Sequence, residues 1–343
     1  MKKDKINKKG ATVSDPEQPR ADEKISGVAY EEPAIPVFLC LVCMSAVLIA
    51  ALINAFVYSF ESALLAPVIL EIVAIVFPCY LILLTVHSQK TTAEQFKAVG
   101  FHAFGVRYIF FILFGALFMM SASAVISILF GGVYSFADGL TLLGTFTAGS
   151  NDYTASIPYL ILAYALIPAI AEEFLLRGMV FSSLRGMGFA AAAVISAVLS
   201  GLVSFSLGGF IPAAFIGLVA CFVLYTTGSL WACMIVRFIF NLYRLFLEVN
   251  ISAYFVSSSS RELLIVVMLA ALLIFGALFF GECARLYKEK ADRAKSGESE
   301  HSTLALRGFV PDIKKTVAYR PTAIMAICCA AVFAAVVIVN YLS

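Results

Sequence analysis

Apolar runs long enough to cross a membrane occupy most of this chain. They lie near 36–59, 63–86, 107–131, 157–184, 188–207, 210–227, 229–249, 262–283 and 321–341. A helix needs about 20 apolar residues to cross a bilayer core, where every backbone N–H and C=O must be satisfied within the segment itself. So many runs cannot be hidden in one soluble core. Composition agrees: 62% of the 343 residues are hydrophobic and only 13% are charged, against roughly 25% charged in soluble domains. The expected fold class is all-α, a polytopic transmembrane helical bundle of about eight or nine spans with lipid as its solvent.

Residues 1–34 are hydrophilic, mix Lys with acidic residues and contain Pro16, Pro19 and Pro33. They read as a disordered cytoplasmic tail without a secretory signal pattern. Residues 35–286 read as the membrane domain, 287–320 as a charged cytoplasmic linker and 321–343 as a C-terminal transmembrane helix. Lys and Arg concentrate in the tail, in 87–106 (Lys90, Lys97), at Arg185 and in 284–320, while 132–156 carries Asp138 and Asp152 but no base. Positive charge stays on the cytoplasmic side. The expectation is therefore a multi-pass protein of the cell membrane with its N-terminus inside. Arg261 votes weakly against this path.

Several function classes drop out. A net charge of +2 with no basic domain gives no footprint for nucleic acid. The eight cysteines lie in or beside apolar stretches, so neither a disulfide framework nor a zinc ribbon is expected. Cys40 and Cys43 are spaced C-x-x-C, but in an apolar helix they read as small packing residues. No internal repeat or inverted pair of interrupted helices supports a transporter.

Ionisable side chains inside spans are expensive and point to function by default. Glu71 stands alone in the second span. The fourth span contains Glu172, Glu173 and Arg177. Glu173 and Arg177, at i and i+4, face each other and can pair, which leaves Glu172 on a neighbouring face. Pro168 removes a helix hydrogen bond just before the carboxylates. An ion pair beside a desolvated carboxylate suits a general base, since desolvation favours the protonated form and lets the group trade a proton near neutral pH. An ion cluster that only locks helices together fits equally well. In the seventh span Arg237, Asn241, Arg244 and Glu248 fall on one helical face, which must look into the bundle. Arg237 is placed to neutralise Glu172. Arg244 and Glu248 either continue that face or approach outer headgroups. Ser200 and Ser204, one turn apart at similar depth, either bond a carboxylate or act as packing glue.

The run Glu172-Glu173-Phe174-Leu175-Leu176-Arg177-Gly178 resembles the E-E-x-x-x-R motif of the CPBP family. These are the CAAX-processing and bacteriocin-processing intramembrane proteases, also called Abi proteins. Gly217, then Thr226-Thr227-Gly228-Ser229-Leu230-Trp231-Ala232, then Asn241 are similar to a second family stretch, so the core is expected at about 155–250. The resemblance implies a membrane-tethered or lipidated peptide as substrate or partner. It implies Glu172 as the water-activating base, Glu173 and Arg177 as its supporting pair, and Asn241 as an oxyanion or ligand residue. It also implies a divalent metal, zinc by expectation, or a glutamate-dependent mechanism. The chain departs at both family histidines: their positions fall at Ser204 and Arg237, and its own His87, His102 and His301 lie elsewhere. A metal site built from Glu and Asn alone is atypical, so no cofactor is expected. Arg237 either stabilises an oxyanion or neutralises Glu172. Two functions remain open: an intramembrane endopeptidase, or a pseudoprotease that binds a membrane peptide without cutting it.

Overall fold

The computed structural model describes residues 71–86, 91–130, 157–184, 189–203, 207–248 and 261–295, with single positions at 68, 251, 327, 330, 331 and 334. The tail, the first span, most of the ninth, Ser204, His87 and His301 lie outside the described residues.

Among the described residues every regular element is a helix. A π-helical turn, Ile72–Val76, leads into α1 (Phe77–Val86). A short amphipathic α2 (Thr92–Ala98) follows, then α3 (Ile109–Phe130). The fourth span comprises α4 (Ile157–Ile161), a π stretch (Leu162–Leu166), α5 (Ile167–Glu173), a second π stretch (Phe174–Phe181) and α6 (Ser182–Leu184). After it come α7 (Phe189–Val203), α8 (Leu207–Thr227), α9 (Leu230–Tyr243) with a π turn Arg244–Glu248, and α10 (Arg261–Lys295). Among the described residues five helices are long and apolar enough to cross a membrane, and a shorter apolar stretch covers Ala192–Leu202. The fold is all-α and membrane-type. Helix α10 runs on to Lys295 and so carries helical structure past the 286/287 boundary drawn from the charge pattern.

Burial ranks the helices. The fourth span is the axis of the bundle, and every residue from Ala171 to Phe181 is buried. Its chain stays helical through Pro168. The missing N–H there costs one hydrogen bond, and the wider π stretch just before it accommodates the gap. Helix α10 is peripheral and mostly exposed, as a lipid-facing helix should be. It is held to α3 by stacked rings: Phe279 lies 4.9 Å from Phe111 and 5.6 Å from Phe118. Each helix opens a glycine for the other's ring. A Cβ at Gly115 would stand 3.2 Å from Phe279, and one at Gly276 3.1 Å from Phe118. Small residues that admit a partner side chain are how helices associate in lipid, where no hydrophobic drive separates helix from solvent.

One polar corner ties the bundle at its end. Gly228, at φ 67°, terminates α8, and its N–H donates to the Leu224 carbonyl at 2.7 Å. A residue with a Cβ would be strained there, so glycine fits this helix end. The Ser229 hydroxyl donates to the His102 carbonyl, and the Leu230 N–H donates to the Gly100 carbonyl at 2.7 Å. Phe101 packs edge-on against Trp231 and Phe174. The segment 91–105 and the corner 227–230 therefore share one face of the bundle.

Filling the Gly276 notch with Gly276→Val should force Phe118 aside and loosen α10 from α3. The expected loss is about 1–3 kcal/mol, the usual range for overpacking, read as a lower unfolding midpoint in mixed micelles.

Candidate active site

Helices α5 and α9 pass each other in opposite directions. Arg237 on α9 meets Glu172, and four residues later the Asn241 amide donates to the Ala165 carbonyl at 3.2 Å. The Arg237 Nη2 donates to Glu172 Oε2 in a direct ion pair between two buried side chains. Glu173 and Arg177 form a second pair at 3.2 Å, with both side chains fully buried. This pair survives although the backbone turns π-helical at Phe174. The two pairs lie within Coulombic reach of each other, so the ionised groups act as one cluster.

Glu71 joins this cluster. The π turn Ile72–Val76 packs against α5, and this brings the Glu71 carboxyl into Coulombic reach of both Glu172 and Arg237. Glu71 is 1% exposed, and neither of its oxygens has a hydrogen-bond partner. The sequence shows it as a single acid in the second span; which helices meet there is a property of the packing.

The remaining candidate residues each take one of the roles open to them. The Ser200 hydroxyl donates to the Ser196 carbonyl of its own helix at 2.8 Å, so it serves backbone and packing instead of bonding a carboxylate. Ser200 does sit at the cluster's edge. A Cβ built on Gly217 would meet Ser200 Oγ at 2.7 Å and Arg177 Nη2 at 2.9 Å. Ser204 lies outside the described residues. Glu248 is buried at 2%, accepts from Ser123 at 2.9 Å and from Arg244 Nε at 2.7 Å, and so faces α3 within the bundle instead of outer headgroups. The thiols of Cys221 and Cys233 lie beside Arg177, and both cysteines are free. The sequence gives no sign of that proximity.

Some polar atoms at the site have no partner. Among the described residues Arg237 Nε, Asn241 Oδ1 and both Glu71 oxygens find no hydrogen-bond partner, and all are buried. Buried polar atoms are normally satisfied, and an exception calls for an explanation such as a catalytic or binding role.

Residues 154–243 match the family model Rce1-like, described as type II CAAX prenyl endopeptidase Rce1-like. This region is similar to that family. The matched stretch contains Glu172, Glu173, Arg177, Ser200, Arg237 and Asn241, and it excludes Glu71. No curated protein and no solved structure matches the chain. A divalent metal does not fit the site as it stands. No group of three His, Cys, Asp or Glu side chains among the described residues could hold an ion, and position 237 presents a guanidinium. A cation held in place by Glu172 repels a second cation.

The Gly217 contact gives a direct test of the cluster's packing. Gly217→Ala should push Arg177 or Ser200 off its position, with a loss of about 1–3 kcal/mol on overpacking. Gly281→Ala, whose added Cβ meets nothing within 4 Å, should be close to neutral in the same unfolding assay.

Proposed function

We propose that this chain is an Rce1-like intramembrane endopeptidase that cuts a peptide tethered to the bilayer. The observation that carries the reading is the buried Glu172 carboxylate in the matched segment, set against the Arg237 guanidinium with its Nε still free to donate. In this account Glu172 takes a proton from water as the water oxygen attacks the scissile carbonyl. Arg237 faces the carbonyl oxygen and stabilises the developing oxyanion by charge and donated hydrogen bonds, a role worth most where water is excluded. Asn241 has one N–H on Ala165 and keeps a second N–H and its Oδ1 for the substrate. Glu173 and Arg177 hold the helix that presents Glu172. Arg237 lies seven residues into α9, about 10 Å along the helix from the corner at Leu230, so the site lies nearer the face shared by 91–105 and 227–230. The Lys and Arg pattern supports that face as cytoplasmic and the N-terminus as inside.

The same ion pair favours a second reading. The Arg237 guanidinium already occupies the Glu172 carboxylate, and a scaffold with both family histidines replaced can bind a tethered peptide without cutting it. The two readings separate in one assay, cleavage of a membrane-tethered reporter by purified protein. The endopeptidase reading expects turnover that a chelator leaves unchanged and that Glu172→Gln abolishes at equal expression. Turnover unaffected by Glu172→Gln removes Glu172 from the mechanism. Saturable reporter binding with no turnover establishes the pseudoprotease.

A further inference from the structure

Helix α9 carries Arg237 and Asn241, and its N-terminus is held by another segment. Ser229 has the extended backbone of an N-cap residue, φ −120° and ψ 121°, and serine is a favoured N-cap. Yet its hydroxyl accepts no N–H of the first turn. It donates instead to the His102 carbonyl, while the Leu230 N–H donates to the Gly100 carbonyl. Helix α2 is the contrast. Thr91 and Glu94 close a capping box on their own helix, with the Thr91 N–H donating to Glu94 Oε2 at 3.0 Å.

The segment that takes the Ser229 hydroxyl has no regular structure. Phe101 to Phe104 lie between Gly100 and Gly105, and none of the four is fully buried. Gly100 stands at φ 98°, a conformation that only glycine adopts without strain. On its α2 side Ala98 and Val99 are buried. The chain therefore changes at Gly100 from an anchored helix end to a loop. That loop is held by the Ser229 bond and by the half-buried rings of Phe101 and Phe104. Phe101 stands edge-on to Trp231 at 5.4 Å and to Phe174 at 5.5 Å.

We propose that Phe101–Phe104 is a flap hinged at Gly100, and that the Ser229 hydroxyl is its latch. Closed, the hydroxyl donates to the His102 carbonyl. Open, it turns to the N–H groups of the first turn of α9 and caps that helix. One hydrogen bond replaces another, so the two arrangements lie close in energy, as a two-state element requires. Helix α2 has its own cap and stays in place. Opening bares Phe174, beside Glu173 in the fourth span, and the start of α9. The Glu172–Arg237 pair joins these two helices, so the flap covers the corner end of the helices that form the candidate site.

The test uses the full-length protein in nanodiscs and needs no turnover, so it stands apart from the endopeptidase reading. Amide hydrogen exchange at His102 reports the hinge, because turning about Gly100 breaks the bond from the His102 N–H to the Gly100 carbonyl at 2.8 Å. Trp231 is the sole tryptophan, so acrylamide quenching of its emission reports the departure of Phe101. Ser229→Ala removes the latch. His102 exchange should then speed up roughly two- to tenfold, the shift from one net hydrogen bond, and Trp231 quenching should rise. Ser229→Asp separates a switch from a loose loop. Its carboxylate can cap α9 and cannot donate to His102. His102 exchange should rise as well, while the Trp231 and Ala232 amides exchange more slowly than in wild type. Wild-type exchange at His102 in Ser229→Ala overturns the latch. Faster exchange at His102 with unchanged Trp231 quenching overturns the flap as a unit. Equal or faster exchange at Trp231 and Ala232 in Ser229→Asp overturns the capping switch.

Discussion

Charge buried in lipid must be neutralised where it lies, and this requirement organises the centre of the protein. Glu172, Glu173, Arg177, Arg237 and Glu71 are each at least nine-tenths buried. Lipid offers no water to hydrate them and no surface to reach, so each ionised group is held by another. The Glu172–Arg237 pair thereby fixes α5 against α9, and Glu173–Arg177 stiffens the span that carries both glutamates. Replacing one partner leaves the other as an isolated buried charge, which is far more costly than the net worth of the pair. The rest of the bundle accommodates this cluster. Gly217 keeps α8 close enough to enclose Arg177, and Glu71 approaches from the π turn before α1.

The pairing has a chemical consequence as well as a structural one. At position 237 a histidine can gain or lose a proton, whereas a guanidinium keeps its charge. Arg237 therefore orients and neutralises but does not shuttle protons.

Much of the fold was legible because lipid imposes one rule on every span: the length of apolar runs reports crossing helices directly. The mutual approach of Glu173 and Arg177 followed from their spacing, and that of Glu172 and Arg237 from the need of each for a partner. Other features were hidden for physical reasons. Hydropathy locates Glu71 in a span but carries no information on which helices meet. Ser200 has a hydroxyl that its own helix can satisfy as readily as a neighbour can, so sequence could not choose between them. The docking of 91–105 on the corner at 227–230 left no readable signal, since it is made through the backbone carbonyls of Gly100 and His102. The π stretches on either side of α5 left none, since their residues are ordinary helix formers.

The central claim is that Glu172 and Arg237 hold each other inside the membrane domain. A double-mutant cycle of Glu172→Gln and Arg237→Gln, measured by reversible unfolding in mixed micelles, tests it most directly. The account predicts that either single substitution destabilises more than the double, with a coupling energy of about 1 kcal/mol or more, as expected for a close buried charge pair. Additive single effects, with coupling within about 0.3–0.5 kcal/mol of zero, would contradict it.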